Sequence, residues 1–66
     1  MNTIRLYEEG TNNLTILSNV TILYIYEPKP NWLHIEYKKE DATIRPEDII
    51  SIDWPKYNVV IEGDKN

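Results

Sequence analysis

The stretch Val20-Thr21-Ile22-Leu23-Tyr24-Ile25-Tyr26-Glu27-Pro28-Lys29-Pro30-Asn31-Trp32-Leu33-His34-Ile35-Glu36-Tyr37-Lys38 decides how this chain folds. Two runs rich in β-branched and aromatic residues flank a segment of turn formers, Pro28 to Asn31, which is the pattern of a β-hairpin. Hairpin register decides which side chains share a face, because successive residues of a strand point to opposite sides. An even loop of Pro28 to Asn31 sets Glu27 opposite Trp32, Tyr26 opposite Leu33, Tyr24 opposite Ile35 and Ile22 opposite Tyr37. One face then carries Val20, Ile22, Tyr24, Tyr26, Leu33, Ile35 and Tyr37 without a charge among them, and that face is the expected core. An odd loop would set Tyr26, Tyr24 and Ile22 beside Trp32, His34, Glu36 and Lys38, burying charge with no evident partner. The even register is therefore expected unless a β-bulge intervenes.

The opposite face carries Thr21, Leu23, Ile25 and Glu27 on one strand and Trp32, His34, Glu36 and Lys38 on the other. Leu23, Ile25 and Trp32 are large apolar groups on a surface that a one-sided antiparallel sheet gives to solvent. Either a terminal strand covers them or they form an interface. Ile49-Ile50 and Val59-Val60-Ile61 likewise place apolar side chains on both sides of their strands. A homodimer that lengthens the sheet or stacks two sheets would cover this surplus and support a short chain.

Outward from the hairpin, closely spaced turn signals divide the chain: Glu9 to Asn13, Lys39 to Asp41, Pro46 to Asp48, Pro55 to Asn58 and Gly63-Asp64. The runs between them predict strands near 2–8, 14–18, 20–27, 32–38, 42–45, 49–54 and 58–62, with 14–18 either continuing into the next strand or lying in a loop. Alanine occurs once, and no window keeps helical apolar spacing free of proline or a β-branched run. Pro46-Glu47-Asp48 suits a single 3₁₀ turn. The expected fold class is all-β, a small antiparallel meander or partly open barrel of five to seven short strands, forming one domain over residues 1–66.

Sixty-six residues support only a small core. The absence of cysteine excludes disulfides and thiolate zinc sites and points to a reducing compartment. The first nine residues carry charge where a signal peptide needs an apolar run, no apolar stretch approaches a membrane span, and a cytoplasmic location is expected. The sequons at Asn13 and Asn19 carry no weight without secretion. A net charge of −4 opposes a phosphate-neutralising surface, so nucleic acid is a disfavoured partner. The hydrophobic share of 41%, with ten isoleucines, is too high for disorder. The abundance of Ile, Asn and Lys suggests an A+T-rich coding sequence, as in a low-G+C bacterium or one of its phages.

Motifs for chemistry are sparse. Ser18 and Ser51 are the only serines and His34 the only histidine, no Ser-His-carboxylate arrangement is recognisable, and two glycines make no phosphate loop. His34 shares a strand face with Glu36, but metal ligation needs a further ligand that nothing nominates. Glu8-Glu9, Glu40-Asp41 and Glu47-Asp48 fall at turns and read as solvated charge. No catalytic residue, metal or cofactor is expected. Among the aromatics, Trp32 and Tyr57 stand next to turns and are the better exposed anchors, because amphipathic rings give much contact area for little entropy cost.

From Trp32 onward the order is strand, turn, the short strand Ala42-Thr43-Ile44-Arg45, the tight turn Pro46-Glu47-Asp48, then the strand Ile49 to Trp54. This order resembles the small β-barrels of the SH3-like and Sm-like type, in which a 3₁₀ turn joins the last two of five strands. The chain has no N-terminal helix or arginine-glycine pair like those of Sm proteins and no aromatic proline-binding signature, and it adds a strand over 58–62. The resemblance therefore implies architecture alone. The expected function is a small non-catalytic interaction module, an accessory protein of a phage or mobile element, that self-associates or binds a host protein through Leu23, Ile25 and Trp32. The alternative is a small barrel that binds a small ligand or nucleic acid through Trp32, His34 and Tyr57.

Overall fold

Alternation of apolar and polar side chains along short β-branched runs builds one open sheet of five antiparallel strands. The structure, a computed structural model, describes residues 1–63. Its strands are β1 (Asn2–Tyr7), β2 (Leu14–Lys29), β3 (Trp32–Lys39), β4 (Ile50–Pro55) and β5 (Val59–Gly63), with 3₁₀ turns at Pro46–Asp48 and Lys56–Asn58. Their lateral order is β4-β3-β2-β1-β5, so the chain is all-β, as its composition implies. The turn expected at Gly63-Asp64 runs into Asp64, which lies outside the described residues.

The expected strands over 14–18 and 20–27 are one strand of 16 residues. Asn19 joins them in the left-handed region at φ 57°, a conformation that asparagine tolerates better than most residues. Opposite it the β1 register slips between Asn2 and Ile4, so β2 carries an extra residue and bends. The half of β2 before the bend pairs with β1 and the half after it with β3, and Val20 alone pairs with both. The bend turns the two halves of the sheet toward each other. Ile4 and Leu6 of β1 thereby meet Val20 of β2 and Ile35 and Tyr37 of β3 in one buried cluster, with Leu17, Ile22, Leu33, Ile52, Trp54 and Val59 packed around it. The Trp54 indole N–H donates to the Tyr7 carbonyl at 3.0 Å and ties β4 to the end of β1 across this core.

The hairpin register agrees with the sequence reading at its base and departs from it toward its tip. Ile22 pairs with Tyr37 as expected, but Leu23 is an extra residue, and beyond it Tyr24 pairs with Glu36, Ile25 with Ile35 and Tyr26 with His34. A second irregularity after Tyr26 leaves Lys29 opposite Trp32, so the loop is Pro30-Asn31, with Asn31 left-handed at φ 69°. A one-residue slip reverses every later side chain. Tyr24 and Tyr26, expected in the core, are exposed on the outer face, and Ile25, expected outside, lies on the same face as the buried Ile35. The charge that argued against this arrangement is not buried: Glu36 is partly exposed beside His34.

Residues 42–45, expected to form a strand, are a loop. The reason lies in Lys38, only 8% exposed, whose ammonium donates to the carbonyls of Lys39, Glu40 and Ala42 at 3.3, 3.0 and 2.9 Å. Gathering three carbonyls around one cation turns the chain where a ladder would run straight. The Asp48 carboxylate then accepts from the Thr43 hydroxyl and the Arg45 guanidinium, both at 3.0 Å. The expected 3₁₀ turn at Pro46–Asp48 is present, but the one that joins the last two strands is Lys56–Asn58.

Two substitutions distinguish the faces. Ile35→Ala removes a fully buried side chain and should cost about 2–5 kcal/mol, whereas Tyr24→Thr on the outer face should change stability by about 0.5 kcal/mol or less; denaturant midpoints measure both. Lys38→Met leaves three carbonyls without their cation and should cost about 1–3 kcal/mol in the same measurement, and an unchanged midpoint would remove Lys38 from the account of the 39–42 turn.

Candidate functional site

The outer face of β2, β3 and β4 gathers aromatic and ionisable side chains from all three strands. It is built from two neighbouring cross-strand rows, Tyr26–His34–Asp53 and Tyr24–Glu36–Ser51. The polar members of β3 and β4 are the even residues of His34-Ile35-Glu36 and the odd residues of Ser51-Ile52-Asp53-Trp54. The alternate residues Ile35, Ile52 and Trp54 belong to the core cluster, so the polar set must face outward.

His34 is the centre of these rows. Its Nδ1 lies 2.7 Å from an Asp53 oxygen and its Nε2 3.0 Å from a Glu36 oxygen, so a carboxylate bonds each ring nitrogen. Those two hydrogen bonds, that to Glu36 foremost and that to Asp53 next, favour the imidazolium and raise the pKa of His34 above its ordinary 6.5. The arrangement does not converge on a common point. The carboxylates bracket the ring on opposite sides, and among the described residues no group of three His, Cys, Asp or Glu side chains is placed to hold an ion. With both nitrogens hydrogen-bonded, His34 acts here as a cross-strand link between β3 and β4.

Around this link the rings form a stripe. Tyr24 and Tyr26 have centroids 5.1 Å apart and tilted planes, and Tyr26 stands 5.0 Å from the His34 ring, a contact that an imidazolium strengthens. The Lys29 ammonium lies 5.1 Å from the Trp32 ring centroid. Tyr26, Pro28, Lys29, Trp32, His34 and Asp53 line a concavity of about 520 Å³ at the hairpin end. The hairpin turn itself is clamped. The Glu27 carboxylate accepts the Asn31 backbone N–H and the Lys56 ammonium, each at 3.0 Å, which together hold its pKa below the usual carboxylate value. The Lys56 backbone N–H also donates to the Asn31 carbonyl at 2.9 Å, so the hairpin tip and the β4–β5 turn are tied together.

The structure divides the five residues expected to bind. Trp32 and His34 line the concavity together. Ile25 lies on the inner face, 42% exposed where the sheet is open, and Leu23 is the bulged residue. Tyr57 projects from the 3₁₀ turn between β4 and β5 and is 80% exposed. Sequence reasoning missed Tyr24 and Tyr26, which the register assigned to the core, and Asp53, whose outward position was available from the alternation of β4. No protein-family model, curated protein or solved structure matches the chain.

The His34 link makes stability depend on pH with a definite sign. A pKa raised on folding contributes stability that is fully present below about pH 6.5 and is lost as pH rises through the raised value. An NMR titration of the His34 ring should give a midpoint above 6.5, lowered by Glu36→Gln and by Asp53→Asn. His34→Gln should flatten the pH dependence of Tm across that window. A wild-type midpoint at or below 6.5 would contradict the bracketing carboxylates.

Proposed function

We propose that this protein is a non-catalytic interaction module whose partner surface is the outer face of the β2–β3 hairpin, from Tyr24 and Tyr26 to Trp32. The observation that carries the reading is the outward exposure of these three rings on a hairpin whose tip is clamped by Glu27 and Lys56. Exposed aromatics on a rigid support lose little entropy on binding, and Tyr and Trp dominate the energetics of protein interfaces. The partner is a host protein or a further copy of the chain.

Several features favour a protein partner over nucleic acid. The net charge is −4, and most basic side chains already serve the fold: Arg5 pairs with Glu62, Arg45 with Asp48, Lys56 with Glu27, and Lys38 with three carbonyls. Among the described residues a phosphate backbone would find little positive charge that is not already paired. The engagement of both His34 nitrogens supports a structural rather than a proton-transferring role for the one histidine. β5 lies beside β1 and a 3₁₀ turn links it to β4, which supports an SH3-like topology, though function does not follow from topology. Among the described residues no helix is long and apolar enough to cross a membrane. We read the module as a cytoplasmic accessory protein of a phage or mobile element.

The test is affinity capture from the source cell, identification of the captured protein, and titration with that protein purified. Trp32→Ala and Tyr26→Ala should each weaken the purified complex by roughly tenfold or more, the scale of interface hot spots, while Thr15→Ala on the other half of the sheet should not. Equal affinity for all variants would refute the hairpin face. Salt-sensitive retention of an oligonucleotide that is lost in Trp32→Ala would favour nucleic-acid binding instead.

A further inference from the structure

An open sheet has two edges, and here they differ. The β4 edge is Ile50-Ser51-Ile52-Asp53-Trp54-Pro55, with a charge and a proline in the strand. Both are features that blunt an edge against further pairing. β5 begins Val59-Val60-Ile61, β-branched throughout, with neither charge nor proline in that triplet. Its register with β1 runs from Leu6↔Val59 to Asn2↔Gly63 without a shift, so no bulge twists the edge away. The charge that follows, Glu62, is paired with Arg5 of its own chain. Among the described residues β1 is the only strand beside β5. Val60 and Ile61 are both exposed, Val60 on the outer face beside Arg5 and Ile61 on the inner face beside Ile4.

We propose that the β5 edge pairs antiparallel with β5 of a second copy of this chain, about a two-fold axis at Val60, giving a dimer with a continuous ten-stranded sheet. The sequence selects that axis. Centred on Val60, the triplet is self-complementary: Val60 faces the second copy's Val60 on the outer face, and Val59 faces the second copy's Ile61 on the inner face. Each Glu62 then falls beside the other copy's Asn58, past the end of its strand, and the two Glu62 carboxylates lie at opposite ends of the seam. Centring on Ile61 would set Val60 against Glu62, and centring on Val59 would set Ile61 against Tyr57. Only the Val60 axis matches apolar with apolar throughout and keeps like charges apart. An isologous seam closes at two copies, whereas pairing β5 with the blunted β4 edge would be head-to-tail and build a ring or a fibre.

This goes beyond the hairpin reading and is independent of it. The seam lies at the edge of the sheet opposite β4, so the dimer would present two free hairpin faces. Sedimentation of the full chain over a wide concentration range should show a reversible monomer–dimer equilibrium. Val60→Lys, at an exposed position, should shift it to monomer with an unchanged circular dichroism spectrum. Because the chain has no cysteine, Val60→Cys gives a single reporter. Directly opposed residues have Cβ atoms about 4.5–5.5 Å apart, so a short thiol cross-linker should convert Val60→Cys to covalent dimer far faster than Ser51→Cys on the β4 edge. A monomer at every concentration overturns the proposal, as do equal cross-linking of the two variants and preferential cross-linking of Val60→Cys to Ser51→Cys. A dimer that survives Val60→Lys and is lost in Trp32→Ala also overturns it and leaves the hairpin reading standing.

Discussion

The bend in β2 is the constraint on which the rest of the structure depends. A strand of 16 residues is too long for a 66-residue chain to bury on one flat surface, so β2 serves two half-sheets in turn. Val20, paired on one side with β1 and on the other with β3, is the hinge between them. Left-handed Asn19 next to it supplies the change of direction. Without that turn Ile4 and Leu6 would not meet Ile35 and Tyr37, and a chain this short would have no enclosed core. The Trp54–Tyr7 hydrogen bond holds the closed arrangement from the far side.

Charged groups do much of the remaining positioning, each through bonds that offset its desolvation. Lys38 organises the turn after β3, Glu27 with Lys56 locks the hairpin tip to the β4–β5 turn, and His34 links β3 to β4. In the first turn of the chain the Glu8 carboxylate accepts from Thr11 and Asn13, which lowers its pKa in the same way. Such anchors suit a small protein, because every loop that is tied down reduces the entropy that so limited a core must overcome. The outer face they support is the one on which Tyr24, Tyr26 and Trp32 stand exposed.

What the residues alone determined is the class of structure and much of its inventory. β-branched and aromatic runs between turn formers specify short strands, and the lack of helical spacing excludes the alternative. β1, β3, β4 and β5 fall within a residue or two of their expected bounds, and Val20, Ile35 and Tyr37 are buried as hairpin parity requires. These features are local: each depends on a few neighbours in the chain. Tertiary structure decided the rest. Leu23 is an extra residue in β2, and that one residue moved Tyr24 and Tyr26 outward and brought Ile25 inward. Residues 42–45 are a loop, entered through a turn in which the Lys38 ammonium collects the carbonyls of Lys39, Glu40 and Ala42. His34 acquired Asp53 from a strand 19 residues away. A slip of one position costs little locally and reverses every side chain beyond it, so the faces of this sheet follow from how its two halves close on each other, which alternation along one strand does not encode.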